Sequence, residues 1–203
     1  MIAIILAGGW QVRFNEFMPG VPKILAPIAG RPFLDYLMAD LRRAPIEKYH
    51  ILAGPLTECQ KIFQAAQAYP ETVDIVSQWP PLGPSGALRA LDAYIEGPVL
   101  LCNGDTVVPE IDYGALIEFH RVCGSDSIVN AVCPGIIYTG RSIVPADLIR
   151  AMPPDVPVAA WKPTAKKEFQ CFAYGRFYDI GTEEGYAEAK AGLPGDFPEV
   201  GVK

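Results

Sequence analysis

Residues 2–41 read IAIILAGGWQVRFNEFMPGVPKILAPIAGRPFLDYLMADL, and this stretch decides the fold class. A short apolar run, Ile2 to Leu6, passes directly into paired glycines, as a buried strand that ends in a turn does. A second segment starts at about Pro32, a favourable first-turn residue. Its apolar residues recur three and four positions apart, which predicts one buried helix face: Phe33, Leu34, Leu37, Met38 and Leu41. A strand followed by such a helix predicts an α/β unit.

The same alternation continues along the chain and predicts a mostly parallel sheet covered by helices. Further strands are predicted at Tyr49 to Ala53, Val73 to Ser77, Val99 to Cys102 and Ser127 to Val132. Further helices are predicted at Leu56 to Ala68, Ser85 to Ile95, Tyr113 to Cys123, Pro145 to Met152 and Thr182 to Ala191. The proline-rich stretch Pro153 to Lys167 is expected to wrap the surface, and the tail from Gly192 is expected to fray.

Composition narrows the class of protein. A chain of 203 residues with 50% hydrophobic and 20% charged residues fits a single domain over residues 1–203. Its apolar runs are far shorter than the roughly 20 residues of a membrane helix. Because neither a basic segment nor a long apolar segment follows Met1, we expect no secretory signal. We therefore expect a soluble, cytoplasmic protein. The net charge of -6 argues against a nucleic-acid partner, and five cysteines without a C-x-x-C pair indicate reduced thiols.

Paired glycines after a first strand let backbone N–H groups approach a phosphate closely. The loop at Gly8 and Gly9 lacks both the G-x-G-x-x-G fingerprint and the G-K-[ST] of a Walker loop, so an ordinary turn stays open on this pattern alone. Together with Arg13 and Pro22-Lys23, however, the stretch resembles the opening of sugar-1-phosphate nucleotidyltransferases. Their pattern is L-A-G-G-x-G-[ST]-R-L, followed by P-K-P-[LM]-x-P-[IV]-x-G-[RKE]-P. The spacing is most similar to the D-glycero-D-manno-heptose 1-phosphate guanylyltransferases.

Three later sequence motifs occur in the same order as in that family. Gln78 with residues 81–87, PLGPSGA, resembles the base-binding loop. Residues 103–106, NGDT, are similar to the N-G-D motif, and residues 178–182, YDIGT, resemble the closing [FWY]-x-D-[IT]-G-T. The resemblance implies a three-layer, Rossmann-like nucleotidyltransferase fold with a mostly parallel, mixed central sheet.

The implied reaction is attack of a sugar 1-phosphate oxygen on the α-phosphorus of a nucleoside triphosphate, with release of pyrophosphate. A phosphate monoester is already ionised at neutral pH, so no dedicated base is needed, and catalysis consists of aligning two polyanions and neutralising their charge. The resemblance assigns Arg13, Lys23 and Asp105 as catalytic residues and Asp105 with Asp179 as ligands of a Mg²⁺ cofactor. It assigns nucleotide binding to Leu6, Ala7, Gly8, Gly9, Gln78, Gly83, Ser85 and Asn103.

Each assignment has a structural alternative. Arg13 and Lys23 could be solvated surface cations, Asp105 a turn aspartate, and Asp179 a helix-capping residue before Thr182.

Two departures from the family pattern bear on activity. Gln11 replaces the second loop glycine and Val12 replaces a hydroxyl residue. Because a non-glycine residue at positive φ costs about 1 kcal/mol, this loop is expected to take another shape. The family's E-K-P insert is also missing, and Lys162-Pro163 lacks the preceding glutamate. The acceptor-binding region around residues 130–175 is therefore expected to be short and its pocket small.

The leading hypothesis is a Mg²⁺-dependent nucleotidyltransferase of nucleotide-sugar biosynthesis, with GTP as donor and heptose 1-phosphate as acceptor. One alternative is a transferase for a non-sugar phosphate such as molybdopterin or cobinamide phosphate. Another is a catalytically silent paralogue that binds nucleotide or sugar phosphate. Neither membrane nor nucleic acid is an expected partner, and a mean hydropathy of +0.18 leaves room for a homo-oligomer interface.

Overall fold

The computed structural model describes residues 1–9, 11–78, 83–135, 137–151, 167–172 and 175–201, with only the backbone described at 83–85 and 201. The predictions for Pro153 to Lys167 and for Lys162-Pro163 therefore lie almost wholly outside the described residues.

A seven-stranded sheet forms the middle layer, in the order β10-β8-β9-β6-β1-β4-β5. Its strands are β1 (Ile2–Leu6), β4 (Lys48–Ala53), β5 (Val73–Ser77), β6 (Val99–Asn103), β8 (Ser127–Cys133), β9 (Ile137–Val144) and β10 (Lys167–Phe172). In the described part of this sheet every pairing is parallel except the two made by β9, which runs against β6 and β8. The mixed, mostly parallel sheet confirms the predicted fold class.

The helices are α1 (Val12–Phe17), α2 (Phe33–Leu41), α3 (Leu56–Ala66), α4 (Gly83–Arg89), α5 (Tyr113–Cys123), α6 (Ala146–Ala151), α7 (Glu183–Asp196) and α8 (Pro198–Gly201). Short 3-10 turns occupy Lys23–Leu25 and Asp92–Tyr94. Two small antiparallel pairs complete the elements: β2 (Pro27–Ile28) with β3 (Arg31–Pro32), and β7 (Thr106–Val107) with β11 (Tyr178–Asp179).

Two apolar clusters fill the two sides of the sheet, which makes the fold three-layered. The larger cluster joins the sheet to α2, α3, α5 and α7, and the smaller one joins it to α4 and α6. In α2, the predicted stripe of Phe33, Leu34, Leu37, Met38 and Leu41 is fully buried in the larger cluster. No helix in the described ranges is both long enough and apolar enough to cross a membrane.

Several predicted elements need correction. The helix expected at Ser85 to Ile95 ends at Arg89 and is followed by a separate 3-10 turn. The tail expected to fray at Gly192 instead continues α7 to Asp196. The helix persists through Pro194 because Leu193 and Phe197 are buried in the larger cluster. Strands β9 and β10 were not predicted.

The cysteines match the expectation of reduced thiols. Cys59, Cys102, Cys123, Cys133 and Cys171 are all free, and three of them are buried.

Candidate active site

The site lies where β1 and β6 end side by side. Leu6 and Asn103 are partners in the parallel register, and both strands stop there because a glycine follows within two residues of each end. The carboxyl edge of a parallel sheet is the place where open α/β folds bind ligands. A pocket with about 240 Å³ of empty space opens at this edge, lined by Leu6, Ala7, Gly8, Gln11, Lys23, Ile24, Gly104 and Asp105.

Gly104 makes the close approach of these two strand ends feasible. Its N–H donates to the carbonyl of Leu6 at 2.9 Å. A Cβ at position 104 would lie 2.9 Å from that carbonyl oxygen and 3.1 Å from Cα of Ala7, which is closer than real contacts allow. Only glycine therefore lets the loop carry Asp105 to the pocket wall.

Asp105 is held between two chain segments that are distant in sequence. Its carboxylate pairs with Nζ of Lys23 at 2.9 Å, and both side chains are mostly covered, with 27% and 20% exposed. Its backbone carbonyl accepts from the N–H of Ile180 at 3.0 Å. This bond extends the pairing of Asp179 with Thr106 and brings β11 to the site.

Asp179 carries the second carboxylate of the site. Although its side chain is solvent-accessible, the surrounding protein raises its pKa by desolvation, and the negative charge of Asp105 raises it further. The N–H of Gly181, which donates to Oδ1 at 2.7 Å, lowers the pKa in part, as do the charges of Lys23 and Arg13. Asp105, Lys23 and Arg13 therefore all lie near enough to Asp179 to affect its pKa. Thr182, and not Asp179, caps the following helix, by accepting from the N–H of Gly185 at 3.1 Å.

The backbone of Gln11 differs from what the sequence led us to expect for the glycine loop. Gln11 occupies the left-handed region with φ 47 and ψ 34 and stands at the N-cap of α1. The loop thus keeps a positive φ at this position despite a cost of about 1 kcal/mol for a non-glycine residue. Arg13 lies exposed in the first turn of α1, and Gly9 precedes it at φ 121.

The predicted base-binding residues are located only in part. Gln78 follows β5 and is buried, with 8% of its surface exposed, and its N–H donates to the carbonyl of Ala53 at 2.9 Å. Its amide nitrogen Nε2 finds no hydrogen-bond acceptor among the described residues. Gly83 and Ser85 begin α4, but their surroundings, like Pro81 and Leu82, lie outside the described residues.

A buried ion network behind the site was missed in the sequence. Arg141 and Asp40 are both fully buried and pair at 2.9 Å. The Arg141 guanidinium also donates to the backbone carbonyl oxygens of Asn103 and Thr106 at 3.4 and 2.7 Å. It therefore fixes the backbone directly before and directly after Gly104 and Asp105. The available signal was Arg141 within residues 137–144, IYTGRSIV, because a cation in the buried part of a strand requires a buried partner.

The donor set suits a hard cation such as Mg²⁺, which prefers carboxylate oxygens and completes its shell with substrate and water. Asp105 and Asp179 supply two carboxylates whose mutual repulsion a cation would relieve. Within the described ranges, no group of three or more His, Cys, Asp or Glu side chains forms a ready-made metal cluster.

Comparison with known proteins identifies the family of this chain. The family model for the MobA-like NTP transferase domain matches residues 3–153, about three quarters of the chain. The chain belongs to the MobA-like NTP transferase family. The matched range carries the glycine loop, Lys23, Gln78 and Asp105 of this MobA-like transferase, while Asp179 comes from the remainder.

Relatives of this MobA-like transferase include two named guanylyltransferases. The putative mannose-1-phosphate guanyltransferase of Sulfolobus acidocaldarius is 26% identical over 133 residues, 64% of this chain and 36% of that protein. The D-glycero-alpha-D-manno-heptose 1-phosphate guanylyltransferase of Aneurinibacillus thermoaerophilus is 30% identical over 121 residues, 59% of this chain and 52% of that protein. The chain thus spans about a third to a half of the length of these relatives. They confirm the resemblance seen in the sequence.

Solved structures agree on the fold. HddC from Yersinia pseudotuberculosis superposes with a TM-score of 0.79 at 24% identity, over 93% of this chain and 97% of that one. A second crystal structure of HddC, complexed with GMP-PN, superposes with a TM-score of 0.70 at 23% identity, over the same shares of the two chains.

Proposed function

We propose that this MobA-like transferase moves a nucleoside monophosphate from a nucleoside triphosphate to a sugar 1-phosphate. The observation that carries the proposal is the convergence of Arg13, Lys23, Asp105 and Asp179 at the carboxyl edge of the sheet. Two cations and two carboxylates near one another, with Lys23 and Asp105 lining the pocket, suit a reaction between polyanions, since it needs charge neutralisation and alignment more than a proton-transfer group.

In the proposed reaction an oxygen of the sugar phosphate forms a bond to the α-phosphorus while the bond between that phosphorus and the bridging oxygen to the β-phosphate breaks. Pyrophosphate leaves with the electron pair. Arg13 and Lys23 bind phosphate oxygens, and Lys23 exchanges its pairing with Asp105 for one with substrate. Asp105 and Asp179 would hold Mg²⁺, which supplies Lewis-acid neutralisation of phosphate charge.

We propose GTP as the donor and heptose 1-phosphate as the acceptor. The relative from Aneurinibacillus carries that activity in its name, and HddC has been crystallised with GMP-PN. The buried Nε2 of Gln78, which has no acceptor among the described residues, supports nucleobase binding, because a buried donor without an acceptor is costly and a base carbonyl would satisfy it.

The test is pyrophosphate release with each nucleoside triphosphate and a panel of sugar 1-phosphates that includes heptoses, with mass detection of the product. Asp105→Asn should abolish turnover while the protein stays folded. Asp147→Asn serves as a matched control, since that side chain is 93% exposed and lies on α6. Full activity of Asp105→Asn would overturn the metal assignment.

If no sugar 1-phosphate reacts while the wild-type protein binds a nucleotide, the proposal fails. The acceptor would then be a non-sugar phosphate, or the protein would be a silent binder.

A further inference from the structure

We propose that Gln11 is a positioning residue that fixes Lys23 for phosphate binding, with Glu58 as its anchor. The inference concerns the one loop position where this chain departs most from the nucleotidyltransferase pattern. It rests on the proposed function, because fixing Lys23 in place affects activity only if Lys23 binds a phosphate group of the substrate.

The side-chain amide of Gln11 connects two segments. Its oxygen Oε1 accepts from the backbone N–H of Lys23 at 2.7 Å. Because a backbone N–H can only donate, the atom facing it must be the amide oxygen, and this orients the amide without ambiguity. The amide nitrogen Nε2 consequently points to Oε2 of Glu58, at 3.4 Å.

The left-handed backbone of Gln11 indicates that this side chain is used. Glycine would adopt φ 47 without strain, whereas glutamine adopts it at a cost. The two hydrogen bonds of the side chain offset that cost. A glycine here would relax the backbone but would leave the N–H of Lys23 without this acceptor.

Glu58 is suited to anchor Gln11 because its carboxylate lies in a partly buried position. It lies in the first turn of α3, and its carboxylate covers Gly54, where an added Cβ would meet Oε2 at 2.7 Å. Burial raises the pKa of Glu58, and the charge of Lys61 lowers it in part. The carboxylate is thus partly withdrawn from water and gains from the amide donor of Gln11.

Lys23 is therefore restrained at both ends. Its backbone is tied through Gln11 and through the 3-10 turn, in which Ala26 N–H donates to the Lys23 carbonyl at 3.0 Å. Its Nζ is tied to Asp105. A flexible lysine loses much conformational freedom when it binds a phosphate, so a backbone fixed in advance reduces that loss.

The first test is Gln11→Gly. It should leave the melting temperature close to that of the wild type, since relief of the backbone strain and loss of the two hydrogen bonds oppose each other, yet lower kcat/KM for the nucleotide at least tenfold. In the Lys23→Met background the same substitution should cause no further loss, because positioning has value only when Lys23 is present. An unchanged kcat/KM, or losses that multiply in the double variant, would overturn the inference.

A reciprocal exchange tests the contact with Glu58. Gln11→Glu keeps an oxygen toward Lys23 but opposes two carboxylates, so activity should fall. Adding Glu58→Gln to that variant restores one donor and one acceptor across the contact and should recover most of the activity. Failure of this rescue would exclude Glu58 as the anchor.

Amide exchange at Lys23 distinguishes this inference from the proposed function. The Lys23 N–H should exchange slowly in the wild type and at least tenfold faster in Gln11→Gly, whether or not any substrate turns over. Equal exchange in the two proteins would overturn the positioning role even for an active enzyme. An inactive wild type with the expected exchange difference would instead count against the transferase.

Discussion

At the scale of single residues, Gly104 sets the distance between the two strand ends that form the site. Gly104→Ala should push the loop away from Leu6, with a loss of about 1–3 kcal/mol in the free energy of unfolding from overpacking. Turnover should fall at least tenfold because Asp105 moves with the loop. Urea unfolding and pyrophosphate release measure the two effects.

The matched control for that change is Gly97→Ala, because nothing lies within 4 Å of a Cβ built at Gly97. It should leave stability and turnover close to those of the wild type. If Gly104→Ala behaves like Gly97→Ala, the close approach at Leu6 does not constrain the site.

We expect the negative charge of Asp179 to lower the stability of the folded protein although turnover requires it. The pKa of Asp179 is raised in the folded protein, so its carboxyl group ionises less readily in the folded than in the unfolded chain. The protonated group therefore favours the folded state, and this stability is lost as the pH rises through the raised pKa. At neutral pH Asp179→Asn should therefore raise the melting temperature while turnover collapses. The asparagine oxygen can still accept from Gly181.

Mg²⁺ gives the same variant a second readout. The ion should raise the melting temperature of the wild type and leave that of Asp179→Asn unchanged, as linkage requires for a ligand that binds only the folded site. An equal Mg²⁺ response in both proteins would remove Asp179 from the set of metal ligands.

The sequence predicted which charged residues lie near one another better than it predicted their detailed contacts. Arg13, Lys23, Asp105 and Asp179 were identified from motif order, and the structure brings them together. The prediction for Gln11 was wrong because it counted the cost of a positive φ and omitted what a long amide side chain can reach. Local propensity carries no information about Lys23 and Glu58, which are neighbours of Gln11 only in the folded chain.

At the scale of elements, strand β9 supplies the buried cation behind the site. Arg141→Met would leave Asp40 without its buried partner and should cost about 3–5 kcal/mol of unfolding free energy. Tyr113→Phe is the milder companion, because it removes only the hydroxyl that accepts from Arg141 at 3.2 Å and donates to Asp40 at 3.1 Å. It should cost about 1 kcal/mol.

Chemical unfolding separates these two variants, and turnover of the folded fraction reports on the loop around Asp105. Similar losses in both would mean that Asp40 is satisfied without Arg141. In Arg141→Met its remaining donors would then be the N–H of Val108 at 3.3 Å, the hydroxyl of Tyr113 at 3.1 Å, and Arg43.

The sequence predicted strands β1, β4, β5, β6 and β8 and missed β9 and β10. Strand β1, IAIIL, and residues 99–102 of β6, VLLC, are continuous apolar runs, as parallel strands under two helical layers are. Strand β10 reads KEFQCF and lies at the sheet edge, where alternating polar residues face water. Strand β9 contains Gly140 and Arg141, which weaken a strand pattern unless the buried Asp40 is known.

At the scale of the whole molecule, both histidines are buried and uncharged. Burial lowers the pKa of His50 and of His120 below the ordinary value, although Asp74 opposes the effect at His50. Among the described residues, neither ring nitrogen of His50 has a hydrogen-bond partner, nor has Nε2 of His120.

The unfolded chain therefore takes up protons more readily than the folded one between these lowered pKa values and about 6.5. The free energy of unfolding should fall as the pH is lowered from 7.5 to 5.5. His50→Phe keeps a flat ring against Tyr94 and should reduce that pH dependence, as urea unfolding at several pH values would measure. An unchanged slope would show that His50 is already solvated.

The pairing of β7 with β11 also has a consequence for protein synthesis. A ribosome makes the segment with Arg13, Lys23 and Asp105 long before the one with Asp179. The sheet core around β1, β4 and β6 can assemble on the emerging chain while Asp105 is neutralised by Lys23 alone. The second carboxylate, which repels the first, arrives only when β11 docks, so the four charged side chains of the candidate site come together in the nascent polypeptide after most of the fold is made.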